Sequence, residues 1–362
     1  MSDADVQDCV VPRLPALRFP CGEAPEPGHA REVAPGILWQ RLPLPSGQYV
    51  NAWALRDGAS WTVVDTGMST ERAVNIWCQL LAREGPLGGL PVTRVICTHL
   101  HADHVGMAGW LCREFDAELW MTRSEYLQAS LVQLRSGMPV PAPDLSFYQR
   151  AGWEAAALGA LRPLGRNMSP LPVRYRRMVD GEHIHIGGDE WRVLVGNGHS
   201  TEHACLYCAA RGLLISGDQV LPLISSNVSV WPSEPGANPL QDWLESIEKI
   251  RRSVPDDVLV LPAHHDPFRG LHTRLDQLAR KRQEALDKVR ESLGQTDRRA
   301  IDLFATLFGR KDFENVFVQQ LATGEAVAYL NYLIGRGEAR VRDDAHGVAW
   351  YGHASPRVVD EA

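Results

Sequence analysis

From residue 37 onward the apolar positions come in short runs bounded by turn residues. Segments 37–41, 49–56 and 60–65 are β-rich and separated by PSG and DG, a spacing that predicts strands joined by tight turns. TERAVNIWCQLLARE at 70–84 changes to helical spacing, with Thr70 as the cap. The runs 92–98 and 117–121 read as strands and 104–115 as a helix. In 122–175 helical pieces such as SEYLQASLVQL are joined by PVPAP and RPLGRNMSPLP, which predicts a helical insertion or lid. Strand patterns return at 183–186, 190–195, 204–209 and 212–216, followed by a helix at 240–252 and a strand at 258–261.

At 271 the pattern changes once more. LHTRLDQLARKRQEALDKVRESL predicts one long polar helix, with shorter helices near 300–308, 312–320 and 323–335. ARVRD and GVAWY, separated by DDAHG, then predict a small hairpin, so the tail is winged-helix-like. Residues 1–36, rich in Pro, Gly and Glu, read as an irregular lead-in, 37–270 as the main domain and 271–362 as a C-terminal domain. No solenoid repeat or low-complexity tract interrupts this order.

The chain of 362 residues is long enough for about two domains. Its net charge of −7 argues against a protein that lives mainly on nucleic-acid phosphates. The first twenty residues lack a basic segment leading into an apolar one, and no apolar run reaches the ~20 residues of a membrane span. The expectation is a soluble, cytoplasmic protein acting on a small molecule. The seven cysteines lie mostly in apolar stretches and read as reduced, buried thiols. Cys205 and Cys208 form a lone C-x-x-C on a strand, where positions three apart face opposite ways.

The costly polar groups are concentrated in THLHADHVG at 98–106, directly after an apolar strand. His99 and His101, two apart on an extended segment, face one side and are placed to grip one metal. Asp103 and His104, at the turn into a helix, are placed to grip a second. His199, Asp218 and His264 each end a predicted strand, as ligands held by a rigid scaffold do. Together these are five His and two Asp, enough for two metals sharing one carboxylate. His265 is an equal candidate to His264 on spacing alone.

VVDTG at 63–67, THLHADHVG, GHS at 198–200, SGD at 216–218 and LPAH at 261–264 resemble the metallo-β-lactamase superfamily in content and order, over roughly residues 37–270. The resemblance implies an α+β fold, a four-layer αβ/βα sandwich of two mixed sheets with helices outside. It implies one metal on His99, His101 and His199, a second on Asp103, His104 and His264, and Asp218 between them. It favours His264 over His265, places Asp65 beneath the site as an orienting carboxylate, and makes His203 a supporting residue. Asp103 and Asp218 are the catalytic carboxylates on this reading, and the cofactors are two divalent ions, zinc first, with iron or manganese also accepted by such ligands.

The spelling SGDQVLP…LPAHHDPFRGLHTR most resembles the hydroxyacylglutathione-hydrolase-like branch, which implies thioester hydrolysis on an acyl-CoA or acyl-glutathione. Residues 122–175 and the tail depart from that branch's glutathione-binding region. A lactonase or a phosphodiesterase, including an endoribonuclease, is the alternative on the same site, and a mononuclear iron persulfide dioxygenase the alternative from another class. The tail is mixed in charge, which argues against nucleic acid. It is expected to shape the substrate channel or form a homodimer contact.

Overall fold

A computed structural model describes residues 16–354, apart from 162–164, 166 and 312. Most of the lead-in, the centre of the RPLGRNMSPLP linker and the last residues of the tail therefore lie outside the described residues.

Among the described residues two mixed sheets carry the architecture. The first runs β1 (Arg31–Ala34), β2 (Ile37–Pro43), β3 (Tyr49–Asp57), β4 (Ser60–Val64), β5 (Val92–Ile96), β6 (Glu118–Met121) and β7 (Arg176–Arg177) in spatial order. Its first four strands pair antiparallel and its last four parallel, with β4 common to both runs. The second contains β8 (His183–Ile186), β9 (Asp189–Gly196), β10 (His203–Cys208), β11 (Leu213–Gly217) and β12 (Leu259–Pro262). It is antiparallel except for the β11–β12 pair.

The apolar faces explain why the sheets stack. Trp39, Trp53, Val64 and Ile96 of the first sheet pack against Ile184, Trp191, Leu206, Ile215 and Leu261 of the second, forming a core between them. Trp39 and Trp53 are register partners and stack at 6.2 Å. The outer face of the first sheet is covered by α1 (Glu71–Leu81) through Ile76, Trp77 and Leu80. The chain then passes through α2 (Ala102–Val105) to α3 (Ala108–Phe115), which adds Leu111 to the same core. Both strands and helices thus bury apolar faces, and each fully buried Leu, Ile or Trp contributes about 1.5–3 kcal/mol. The resulting order of layers is helix, sheet, sheet, helix.

The insertion forms α4 (Arg123–Arg135), α5 (Ala142–Arg150) and α6 (Ala155–Ala160). The outer face of the second sheet is covered by α7 (Pro239–Ser253); α8 (Leu271–Gln295) and α10 (Val316–Gly335) pack on α7, and a 3-10 turn at Ala300–Leu303 and α9 (Phe304–Phe308) pack on those helices. Leu194, Cys205, Leu214 and Val260 of that sheet share one continuous core with Trp243 of α7, Val289 of α8, Leu330 of α10 and Trp153 of the insertion. The tail ends in a hairpin of β13 (Ala339–Asp343) and β14 (Ala349–His353).

Three local expectations are corrected. Residues 31–34, read as irregular, add an edge strand to β2. The helix expected over 104–115 is broken between Gly106 and Ala108, where Met107 N–H turns to the Thr66 hydroxyl at 3.1 Å and the Gly67 carbonyl at 2.9 Å. The helices expected at 312–320 and 323–335 are one helix, α10, which runs without a break through Leu321 and the buried Ala322.

Candidate metal centre

The carboxyl ends of β4, β5, β9, β11 and β12 meet at one end of the sandwich, the position where open sheets present polar side chains to a ligand. Asp65 follows β4, His99 to His104 follow β5, His199 follows β9, Asp218 follows β11 and His264 follows β12. All seven expected ligands come together there. The ligand atoms of His99, His101, His199 and Asp218 lie within 4.8 Å of one another, as do those of Asp103, His104 and His264. Asp218 faces both groups: its Oδ2 is 3.4 Å from His199 Nε2 and 3.6 Å from His104 Nε2, and its Oδ1 is 3.5 Å from His264 Nε2.

Each imidazole tether decides which nitrogen is free. His104 Nδ1 donates to Asp65 Oδ2 at 2.9 Å, His199 Nδ1 to the Asn227 carbonyl at 2.7 Å and His264 Nδ1 to the Tyr49 carbonyl at 2.8 Å. Thr98 Oγ1 donates to Asp65 Oδ2, so its lone pairs take the N–H of His99 Nδ1 at 3.0 Å. Four acceptors therefore fix four tautomers, and the Nε2 lone pairs converge. Asp65 performs its part in the left-handed region, at φ 59°, which a short polar residue tolerates and which aims its carboxylate at Thr98 and His104.

The residues fit a metal on these observations. His104 Nε2 and Asp218 Oδ1 are buried without a hydrogen-bond partner. His99 Nε2 lies 3.2 Å from His199 Nε2, and since both rings donate through Nδ1, two lone pairs face each other there and repel unless a cation sits between them. Zinc bonds of about 2.0–2.1 Å in a tetrahedron place their ligand atoms roughly 3.3 Å apart, the spacing seen here. Imidazole and carboxylate together suit zinc, iron or manganese.

Charge divides the cluster. Burial, then the neighbouring His199 ring, holds His101 down at about 3, and burial with His104 beside it keeps His99 well below its ordinary value. Burial opposes ionisation of Asp103 and Asp218, but His104 and His264 outweigh it and hold both carboxyls well below the usual range. His104 is held well above its ordinary value and His264 at about 9, because the carboxylates of Asp103 and Asp218 outweigh burial. His99 and His101 are thus held neutral, while His104 and His264 attract positive charge.

His203, expected as support, accepts the Asp218 backbone N–H through Nε2 at 3.1 Å. Gly217 must be glycine here: its φ is 50°, and a Cβ would lie 2.5 Å from that Nε2. His265 stays outside both ligand groups; its carbonyl accepts from Asn51 Nδ2 at 2.7 Å. Cys205 and Cys208 belong to cores on opposite faces of the second sheet, so they do not converge.

Glu125 was not legible as a site residue. It is fully buried on α4, where its carboxylate accepts the N–H groups of Leu100 and Glu202, both at 2.8 Å, and the Thr201 hydroxyl at 3.2 Å. It ties the loop after β5 to the loop after β9. Asn51 likewise joins β3 to the end of β12 by donating to the Pro262 carbonyl at 2.7 Å. An acidic residue in SEYLQ carries no local sign of burial, so sequence alone could not select it.

The chain matches the family model described as "Metallo-beta-lactamase superfamily" over residues 45–292, and a "Metallo-beta-lactamase-like, C-terminal domain" over 286–354. A solved beta-lactamase domain protein from Burkholderia ambifaria is similar over 93% of this chain and 98% of its own, with 39% identity and a TM-score of 0.86. A probable metallo-hydrolase of Bacillus subtilis, YqjP, is 24% identical over 76% of this chain and 85% of its own. An acyl-coenzyme A thioesterase of Gallus gallus is 25% identical over 66% of this chain and 80% of its own.

Proposed function

We propose, from the premise that the chain belongs to the metallo-beta-lactamase superfamily, that it is a dinuclear metal-dependent hydrolase acting on a thioester. The observation that supports this most is the convergence of imidazole lone pairs and two carboxylates, with His104 Nε2 and Asp218 Oδ1 left unpartnered in a buried site. On this reading His99, His101 and His199 hold one ion, Asp103, His104 and His264 the other, and Asp218 lies between. Bound there, divalent ions supply the Lewis acidity that makes water a nucleophile at neutral pH and polarises an acyl carbonyl.

The protein's own groups do the rest. Asp65, Asn227 and Tyr49 fix the rings so that no reorganisation accompanies reaction. Asp103 is the more exposed of the two carboxylates, at 20% against 9% for the Asp218 side chain, and so is the one placed to take a proton from the attacking water. Water adds to the carbonyl carbon, the C–S bond breaks, and a carboxylate and a thiol leave. A thiolate, with a pKa of about 8.5, leaves without a strong general acid, which suits a cluster whose histidines are all committed elsewhere.

The similarity to an acyl-coenzyme A thioesterase supports the thioester and an acyl-CoA carrier, with acyl-glutathione second. Nucleic acid is disfavoured by the tail, where Arg340 and Arg342 are both paired with Asp297. Zinc is the first candidate metal, and iron or manganese suit the same donors. The test is hydrolysis by the zinc-loaded chain of an acyl-CoA and an S-acylglutathione, read as thiol release, and of a lactone and a phosphodiester, read as release of the hydroxy acid and of the alcohol. Turnover of a thioester ahead of the others is expected. Zinc-loaded protein that cleaves only the phosphodiester would overturn the thioester assignment.

A further inference from the structure

We infer that the C-terminal helices α8 and α10 set the geometry of the metal centre, with Arg282 and Glu325 as positioning residues for His199 and Asp218. This rests on the metal-centre reading above and assigns the tail a task within it.

The segment between Asp218 and Val230 has no regular secondary structure, yet it carries two of the site's tethers. The Asn227 carbonyl accepts from His199 Nδ1 at 2.7 Å, and the Ser226 hydroxyl donates to the Asp218 carbonyl. What holds this segment comes from the tail. From α8, Arg274 donates to the carbonyls of Leu221 at 2.6 Å and Ile224 at 2.7 Å. One turn pair further on, Arg282 donates to the Ser226 carbonyl. From α10, Glu325 accepts from Asn227 Nδ2 at 2.8 Å, and the Gly324 carbonyl accepts the Val230 N–H at 3.0 Å. The approach is close enough that a Cβ on Gly324 would lie 2.6 Å from the Val230 carbonyl oxygen. That glycine is what lets the loop lie against the helix.

Arg282 and Glu325 complete the arrangement by pairing with each other, and Tyr329 accepts a further Arg282 hydrogen bond at 2.9 Å. Arg282 is 3% exposed. A buried ion pair is an expensive way to join two helices, and apolar residues of the same volume hold helices as well or better. The surrounding core already supplies that adhesion through Val289, Leu330 and their neighbours. The polar network differs from adhesion in where it ends: on Ser226 and Asn227, one bond away from Asp218 and His199. Arg290, which pairs with Glu338 and Asp287, joins the same two helical regions without touching the loop. It is the internal control.

The experiment compares full-length wild type, Glu325→Gln and Arg290→Met by zinc competition against a chromophoric chelator, alongside thermal unfolding of the metal-free proteins. Glu325→Gln keeps the side chain's shape but presents an amide where Asn227 donates. Expected is a loss of zinc affinity of about 10–100-fold, as when an orienting partner of a ligand is removed, with Arg290→Met within twofold of wild type. Asn227→Ala cuts the same link while leaving the buried charges paired, and it gives the same readout if Glu325→Gln does not fold. Unchanged zinc affinity in these variants, or an equal loss in Arg290→Met, overturns the positioning role. Wild type that binds no zinc, iron or manganese overturns the metal-centre reading instead.

Discussion

Asp65 Oδ2 receives the Nδ1–H of His104 at 2.9 Å while the same carboxylate takes both the backbone N–H of Thr98 at 2.8 Å and its hydroxyl at 2.9 Å. One side chain therefore fixes a ring in one half of the cluster and, through Thr98, the His99 ring in the other. Asp65→Asn replaces an acceptor by a group that also donates. Metal affinity is expected to fall about 10–100-fold, read by chelator competition. Affinity equal to wild type would remove Asp65 from the set of orienting groups.

His101→Ala takes away a nitrogen that faces His99 Nε2 at 2.9 Å. The variant is expected to lose metal and hydrolytic activity while keeping its far-ultraviolet circular dichroism. Full metal content and turnover in that variant would show the ligand assignment to be wrong.

Glu125→Gln leaves the donors of Leu100, Thr201 and Glu202 facing an amide that can satisfy only part of them. Stability should fall by about 1–3 kcal/mol, and the two ligand loops should exchange amide protons faster than the rest of the sandwich. Denaturant midpoints and hydrogen exchange decide this. Uniform protection at wild-type levels would mean that the loops do not depend on the carboxylate.

In metal-free protein His264 is held at about 9, above its ordinary 6.5, by Asp218 and Asp103 against burial. Because the folded value is the higher one, the stability this proton contributes is complete below pH 6.5 and is lost as pH rises through about 9. His104, raised by the same carboxylates, adds in the same direction. Metal must displace these protons, so uptake near neutrality should release them and apparent affinity should climb toward pH 9. Calorimetry in buffers of different ionisation heat measures the release, and binding without it would contradict the charge pattern.

Cys208→Ser should leave metal content unchanged, since Cys208 packs between the sheets and Cys205 packs outward beneath α7. Elemental analysis that showed zinc lost from this variant would restore a role for the pair.

The sequence made the scaffold and the ligands legible for different reasons. Strands β2 to β5 and β9 to β12 announced themselves because apolar runs end abruptly at turn residues. The ligands announced themselves because polar groups are costly directly after such runs. What escaped depended on partners far along the chain. Arg31–Ala34 is a strand only because β2 offers an edge. Gly324 sits inside a helical pattern with no local sign of its role until the Val230 carbonyl and the Ser229 side chain are seen against it. Glu125 looks solvated, while its helix in fact turns Leu127, Leu131 and Leu134 outward. The Arg282–Glu325 network spans residues separated by 43 positions, and no local pattern encodes it.

The cluster draws His99 to His104 from one sheet and His199, Asp218 and His264 from the other, each sheet backed by a separate outer core. A cation held there acts as a rivet through the sandwich. It links positions as distant in sequence as 99 and 264, and because only the folded chain assembles those ligands, it stabilises the native state over the unfolded one. Taking the ion away releases the loops of both sheets at once, so its loss is expected to loosen the whole end of the sandwich rather than one loop.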